Sequence, residues 1–195
     1  MKNHILNSLQ EAQSALSDLL ENEETIGRIA QASQILLDSL DQGGRIFSCG
    51  NGGSMCDAIH FAEELSGRYR LDRKGLPAVS ISDPGHLSCV GNDYGYEFVF
   101  SRYLESHGRS GDCLLAISTS GSSQNALKAA ERAHEMGLKV IALTGRPDAQ
   151  LGKLADIHIC TPGGQFADRV QELHIKVIHI LIELIERDLF PENYV

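Results

Sequence analysis

Ser48-Cys49-Gly50-Asn51-Gly52-Gly53-Ser54, followed by a helical pattern that runs to Leu65, is the stretch that decides the fold of this chain. The apolar run before the glycines predicts a buried strand, and the glycines let backbone N–H groups approach a ligand closely. The helix that follows starts at this turn, so its unpaired N–H groups and partial positive charge favour an anion there. Further along the same helix, His60 and Glu64 are four residues apart and leave one face. An anion cradle and an acid–base pair on one element predict chemistry on a phosphorylated small molecule.

Strand and helix patterns alternate along most of the chain. Strands are predicted at 45–49, 78–82, 113–118, 139–144 and 157–160, and helices at 54–67, 96–106, 123–136, near 150–155, and at 166–189. Two helical patterns come before them and predict a helical hairpin over 1–43, ahead of an α/β sandwich over 44–195 within a single domain. The alternation predicts a five-stranded parallel sheet flanked by helices. In a flavodoxin-like strand order, 2-1-3-4-5, the loops after strands one and three meet where ligands bind.

Composition limits the classes of partner. The chain has 195 residues and a formal net charge of −9, which argues against nucleic acid or an anionic membrane as its main partner. Its five cysteines are odd in number and mostly lie in apolar runs, which predicts buried free thiols in a reducing compartment. The N-terminus lacks the apolar stretch of a secretion signal, and the most apolar run, 177–185, is too short to span a bilayer. We therefore expect a cytoplasmic protein.

The loop after the third predicted strand is rich in hydroxyl groups. Hydroxyl residues occupy five of the six positions from Ser118 to Ser123, around a glycine and directly before a helix. Isolated serines and threonines in such places are usually turn or N-cap residues, but this density favours a phosphate nest that needs no lysine. The pattern of a P-loop NTPase is absent from the sequence, and Met55 stands where a dinucleotide fingerprint needs its third glycine.

Residues of the last helix are candidates to complete the site. His60 and Glu64 are compatible with a metal site, an acid–base pair or an ordinary surface pair. Gln171 and His179 are eight residues apart, so they differ by roughly 80° around the helix and can face one pocket. His174 lies off to the other side of Gln171. A core histidine bonded to a carbonyl is an equally good interpretation of His179, because its neighbours are apolar.

Taken together, several segments resemble the phosphoheptose isomerases, within the sugar-isomerase (SIS) domain family. The resemblance covers nearly the whole chain, and the segments that carry it are 48–54, 60–69, 91–95, 117–121 and 167–176. Met55 departs from the histidine or alanine expected after the serine, and 162–165 also differs from the commoner form.

The resemblance implies aldose–ketose isomerisation of sedoheptulose 7-phosphate to D-glycero-D-manno-heptose 7-phosphate, an early step towards lipopolysaccharide heptose. It implies substrate contacts at Asn51, Gly52, Gly53, Glu64, Asn92, Asp93, Ser118, Thr119, Ser120, Ser123 and Gln171. It also implies one Zn²⁺ per subunit held by His60, Glu64, Gln171 and His179, with Glu64 and His179 transferring protons. The implied assembly is a homotetramer with active sites shared between subunits.

Two other functions fit parts of the pattern. One is a non-catalytic SIS-domain protein, either a sugar-phosphate sensor or the replication-initiator-associating protein that resembles these isomerases. Such a protein can keep the phosphate loop without a catalytic pair, whereas His60, Glu64 and His179 are all present here. The other is an isomerase of a hexose or pentose phosphate.

Overall fold

A five-stranded parallel sheet forms the centre of the computed structural model, which describes residues 1–194. The strands are β1 (Ile46–Gly50), β2 (Ala78–Ser80), β3 (Cys113–Ser118), β4 (Lys139–Thr144) and β5 (Ile157–Cys160). Their order is β2-β1-β3-β4-β5, and every neighbouring pair is parallel. The predicted fold class and strand order are confirmed, with the switch point between β1 and β3.

Eight helices connect or precede the strands in the part of the chain that the structure describes. They are α1 (Lys2–Glu21), α2 (Glu23–Asp41), α3 (Gly53–Ser66), α4 (Pro84–Asp93), α5 (Val99–His107), α6 (Gln124–Glu135), α7 (Gln150–Lys153) and α8 (Ala167–Leu189). The helix expected over 96–106 is instead a 3₁₀ turn, Tyr96–Phe98, followed by α5. The hairpin expected over 1–43 is present as α1 and α2.

Helix α4 was not predicted from the sequence, although its start carries ordinary signals. Asp83 caps it, because its side chain accepts a hydrogen bond from the His86 N–H, and Pro84 occupies the first turn. Only one residue of α4, Val90, is buried. A helix with so small a buried face shows no clear apolar period, which explains the omission.

Alternate residues of the central strands pack into two separate hydrophobic cores, one on each face of the sheet. Along β3, Cys113, Leu115 and Ile117 face the core shared with α1, α2, α3 and α8. Leu114 and Ala116 face the core shared with α4, α5 and α6. The molecule therefore has three layers, and α3 and α8, which carry the candidate catalytic residues, pack in the same outer layer.

Helix α8 is mostly buried beyond Val177, as its apolar pattern predicted. None of the helices formed by residues 1–194 combines the length and the apolar character that crossing a bilayer requires. The free thiols are confirmed, but Cys56 and Cys89 are exposed, so the expectation of buried cysteines is wrong for these two. Both lie on outward-facing helix positions rather than in the strand-like runs.

Candidate active site

The loops after β1 and β3 meet at the carboxyl edge of the sheet. The side chains of Asn51 and Asn125 are 2.8 Å apart in both donor–acceptor directions, so each amide donates to the other's oxygen. Tyr96 adds its hydroxyl as a donor to the Asn51 oxygen at 3.2 Å. Because the Asn51 amide is held in this way, its backbone is the part of the residue left to meet a ligand. These side chains line a cavity of about 650 Å³ that also reaches Ser123.

The β3–α6 loop turns its hydroxyls towards one another and towards the N-terminus of α6. Ser118 and Ser123 hydroxyls are 3.1 Å apart, and Ser120 accepts hydrogen bonds from the Ser122 N–H and hydroxyl. Ser123 is the N-cap residue of α6 but makes no side-chain capping bond; the Ala126 N–H donates to the Asn125 Oδ1 atom, and the first N–H groups of α6, at Gln124 and Asn125, are left to meet a ligand. Gly121 has φ of +62°, and a Cβ there would collide with Ala149, so only glycine suits the turn. The arrangement agrees with the predicted phosphate nest.

Gln171 of α8 lies against the first glycine turn. A Cβ placed on Gly53 would come within 2.5 Å of the Gln171 Nε2 atom, so glycine is what allows α8 to approach α3 here. Gln171 is thus beside the β1–α3 loop, about 12 Å along the helix axis from His179, given 1.5 Å of rise per residue. The two residues face α3 at different levels.

His60, Glu64 and His179 converge at one point between α3 and α8. The Nε2 atoms of His60 and His179 are 2.9 Å apart, and Glu64 Oε1 is 3.5 Å from His60 Nε2. Tyr69 lies beside them, with its ring centroid 5.8 Å from that of His179. His179 is therefore not a core histidine bonded to a carbonyl. Helix α3 supplies two of the three groups because an i, i+4 pair shares a face.

The donor set fits a small divalent cation. Two imidazole nitrogens 2.9 Å apart require a proton or a cation between them, and ligands of a tetrahedral Zn²⁺ are about 3.3 Å apart. Glu63, the residue before Glu64 on α3, lies 3.2 Å from the other ring nitrogen of His60, Nδ1. A carboxylate there favours a proton on Nδ1 and leaves the Nε2 lone pair facing Glu64 and His179. Glu63 itself is largely exposed.

The burial of this cluster shifts the pKa values of two of its members. Burial raises the pKa of Glu64 above the ordinary value; the neighbouring Glu63 carboxylate adds to the shift, and His60 opposes it. Burial lowers the pKa of His179, and the nearby His60 and Lys176 lower it further. A more basic carboxylate and a neutral imidazole suit proton transfer near neutral pH.

Asn92 and Asp93, predicted as substrate contacts, lie at the exposed C-terminal end of α4. Their side chains bond to each other, with Asn92 Nδ2 2.7 Å from Asp93 Oδ1. Within residues 1–194, no hydrogen bond joins either side chain to the two glycine-containing loops. Their contact with substrate stays a prediction.

Asp57 is a site residue that sequence reasoning missed. It precedes His60 by one turn of α3, and burial raises its pKa to about 6, an effect that His60 opposes. Its Oδ2 atom is buried without a hydrogen-bond partner among the described residues. The i, i+3 spacing to His60 was the available signal.

The segment 162–165, which departs from the family's commoner form, borders the phosphate loop. Gly164, Gln165 and Phe166 share a cavity of about 210 Å³ with Thr119 and Ser120. A change in this segment therefore alters the rim of the pocket. Met55 instead packs against the core on the far side of the sheet.

His174 is fully buried, in agreement with its predicted direction away from His179. Neither ring nitrogen finds a hydrogen-bond partner of normal geometry within residues 1–194. Burial lowers its pKa from 6.5 to about 4, which a backbone group of Thr144 opposes only in part. The His174 ring is neutral in the folded protein at pH 7. In the unfolded chain the same ring binds a proton once the pH falls below 6.5, the ordinary pKa of histidine.

Replacing this buried imidazole is expected to reduce the dependence of the free energy of unfolding on pH below 6.5. The wild-type free energy of unfolding should fall as pH drops from 6.5 towards 4, by about 2 kcal/mol at pH 5 from this group alone. His174→Leu should lack that part of the fall, as measured by urea unfolding at pH 7 and 5. His4→Leu, at an exposed position of α1, is the control and should keep the wild-type dependence. Identical pH profiles for wild type and His174→Leu would contradict the prediction.

Comparison with known proteins agrees with this geometry. The SIS domain model matches residues 9–145. The phosphoheptose isomerase of Cytophaga hutchinsonii is 58% identical over 185 residues, covering 95% of this chain and 97% of that protein. This chain belongs to the phosphoheptose isomerase family of SIS-domain proteins. The relative from Aeromonas hydrophila is 57% identical, with 95% of this chain and 96% of that protein covered.

Solved phosphoheptose isomerase structures share the fold over nearly their full length. The enzyme from Francisella tularensis superposes with a TM-score of 0.89 at 33% identity, covering 95% of this chain and 97% of that one. The enzyme from Neisseria gonorrhoeae gives a TM-score of 0.81 at 38% identity, covering 95% and 96%. As a member of this family, the chain is an isomerase.

Proposed function

We propose that this protein interconverts sedoheptulose 7-phosphate and D-glycero-D-manno-heptose 7-phosphate, in the cytoplasm, on the way to lipopolysaccharide core heptose. The observation that carries the proposal is the convergence of Glu64, His60 and His179 from two helices beside the phosphate-type loops. The names of its relatives supply the sugar. The free thiols support a reducing compartment.

The two loops hold the phosphate in this proposal. Backbone N–H groups at the starts of α3 and α6, with the hydroxyls of 118–123, offer donors to an anion at the switch point. The protein carries a net charge of −9, so this local field and not the overall charge attracts the substrate. The sugar then extends from these loops towards Glu64 and His179.

Glu64 and His179 move the protons. The Glu64 carboxylate takes a proton from C1 of the ketose, which gives an enediol, and returns it to C2 to give the aldose. His179 carries a proton between the oxygens on C1 and C2, because a neutral imidazole can both accept and donate. The Gln171 amide, close to the first loop, is a donor available to the developing oxyanion.

A zinc ion fits the same cluster. His60, Glu64 and His179 would hold it; Gln171, the fourth ligand that the family implies, lies against Gly53 and its part in the site stays a prediction. Zn²⁺ bound there would polarise and orient the substrate oxygens. A carboxylate or imidazole whose lone pair is held by the metal is a weaker base, so Glu64 and His179 would accept protons only while they are not coordinated. Glu63 keeps the His60 ring in the tautomer that such a ligand needs.

A panel of ketose phosphates with five, six and seven carbons tests the substrate. We expect the seven-carbon ketose to give the highest kcat/KM. A preference for a hexose or pentose phosphate would contradict the proposed substrate but not the proposed isomerase reaction. No turnover of any sugar, together with capture of a replication initiator, would favour the non-catalytic alternative.

We further propose a homotetramer whose sites lie at subunit interfaces. Helix α1 leaves an apolar stripe exposed, formed by Ile5, Leu6, Leu9, Leu16 and Leu20. Leu9 is 62% and Leu20 67% exposed, and a continuous stripe of this kind on a monomer marks an interaction surface.

A charge placed in the stripe is expected to break this assembly. Leu9→Glu should lower the mass measured by light scattering after size exclusion from that of a tetramer to that of a smaller species, because burying an unpaired carboxylate is unfavourable. Gln10→Glu adds the same charge at the neighbouring exposed position and should keep the wild-type mass. A monomeric wild type, or a tetrameric Leu9→Glu, would contradict the proposed interface.

A further inference from the structure

We propose that Arg73 is a positioning residue that fixes α3 against α8 and so sets the distance between Glu64 and His179. The inference rests on the proton-transfer roles proposed above for those two residues. Arg73 lies in the connection between α3 and β2, outside every segment that carries the family resemblance, and the carboxylate with which it pairs is that of Glu186.

The Arg73 guanidinium is bound to the end of α3. Its side chain is only 1% exposed. Nη2 donates to the Glu64 carbonyl at 2.6 Å, and Nη1 donates to the carbonyls of Leu65 at 2.8 Å and Gly67 at 2.9 Å. The last carbonyls of a helix have no partner within the helix, and Leu65 also accepts from the Leu76 N–H, so Arg73 supplies the bond that the Glu64 carbonyl would otherwise lack. The main chain of Glu64 itself is held, while its side chain faces His60.

The same guanidinium is bound to α8 on its other side. Nε donates to Glu186 Oε1 at 2.7 Å, and the Glu186 side chain is 0% exposed. Tyr194 donates its hydroxyl to the second oxygen of that carboxylate at 2.8 Å. Glu186 follows His179 by seven residues, two turns of helix, and therefore leaves α8 on nearly the same face.

One planar cation thus joins the two helices that carry the reacting groups. A buried arginine with a rigid fork of donors holds its partners in one geometry, which a lysine cannot reproduce. A shift of about 1 Å in the position of a catalytic group costs up to about 100-fold in rate. Arg73 also donates to carbonyls of its own connection, at Gly67 and Lys74, but its contact with the Glu64 main chain is the one linked to the site.

A purely structural role is the competing explanation, and a double substitution separates the two. Arg73→Met alone leaves Glu186 buried without a cation, bonded only to the Tyr194 hydroxyl, and should lower both stability and activity. Arg73→Met with Glu186→Leu removes both charges and should be more stable to heat than Arg73→Met, although the carbonyls of Glu64 and Gly67 then lack this donor. We expect this double variant still to have kcat lowered roughly 10–100-fold with KM little changed, because the phosphate loops are intact.

Two further variants make the test decisive. Arg73→Lys keeps the charge opposite Glu186 but cannot bind all three carbonyls, and the folded variant should also show reduced kcat with unchanged KM. Arg187→Met removes a neighbouring but exposed arginine of α8, paired with Glu183, and should keep wild-type kcat. Wild-type kcat in a stably folded double variant or in Arg73→Lys would overturn the inference.

Measuring Glu64→Gln in the same assay distinguishes this inference from the proposed function. If Glu64→Gln turns over at the wild-type rate, the proton-transfer roles fail, and the Arg73 inference fails with them. If Glu64→Gln is inactive while the double variant turns over normally, only the role of Arg73 is wrong.

Discussion

Glu64→Gln is expected to lower kcat by roughly 10²–10⁴-fold, which is the range for loss of a general base. The carboxylate lies in the cluster with His60 and His179, and burial raises its pKa, which makes it a stronger base than a solvated carboxylate. An amide of the same shape cannot accept the carbon-bound proton. Substrate affinity, measured by calorimetry, should change little, because the loops at 51–53 and 118–123 hold the phosphate.

Glu63→Gln is the matched comparison for this substitution. Glu63 is the adjacent carboxylate of α3, largely exposed, and contacts the outer nitrogen of His60. We expect its loss to lower kcat by at most about 10-fold, through the orientation of His60 alone. Equal effects of the two substitutions, or wild-type turnover in Glu64→Gln, would remove Glu64 from the proposed mechanism.

Removal of zinc is expected to lower kcat by at least about 100-fold, since a bound cation supplies several kcal/mol of stabilisation to developing charge. Added Zn²⁺ should restore the activity of the chelated protein. The reason is the geometry of the cluster, in which two imidazole nitrogens and a carboxylate oxygen face one point. Metal content by mass spectrometry and turnover should rise together during reconstitution.

Substitution of a ligand gives a readout that does not depend on turnover. His60→Ala should fail to retain zinc through size exclusion, whereas His134→Ala, at a surface histidine bonded to the Leu154 carbonyl, should retain it. Full activity after thorough chelation, or zinc bound equally by wild type and His60→Ala, would contradict the metal assignment.

The loops of the site were predictable because their signals are local. Glycines with a strand before and a helix after specify the turn at Gly50–Gly53, and a run of hydroxyl residues specifies the nest at 118–123. The flavodoxin-like order then places both at one edge. Within one helix, spacing alone put His60 and Glu64 on one face.

The contacts between elements were not predictable in the same way. His60 and His179 are 119 positions apart. The apolar periods of α3 and α8 show which face of each helix is buried, but not which residues of the two helices lie opposite each other. Arg73 belongs to an irregular connection, where a sequence pattern does not distinguish a buried cation from a solvated one. Helix α4 was missed because it buries too little to show an apolar period.

Exchange of carbon-bound hydrogen in deuterated water tests the central claim most directly. Wild-type protein incubated with sedoheptulose 7-phosphate should introduce deuterium at C1 of the ketose or C2 of the aldose, as seen by NMR, and Glu64→Gln should not. Deuterium incorporated into the sugar at the same rate by wild type and by Glu64→Gln would contradict a Glu64-centred enediol mechanism.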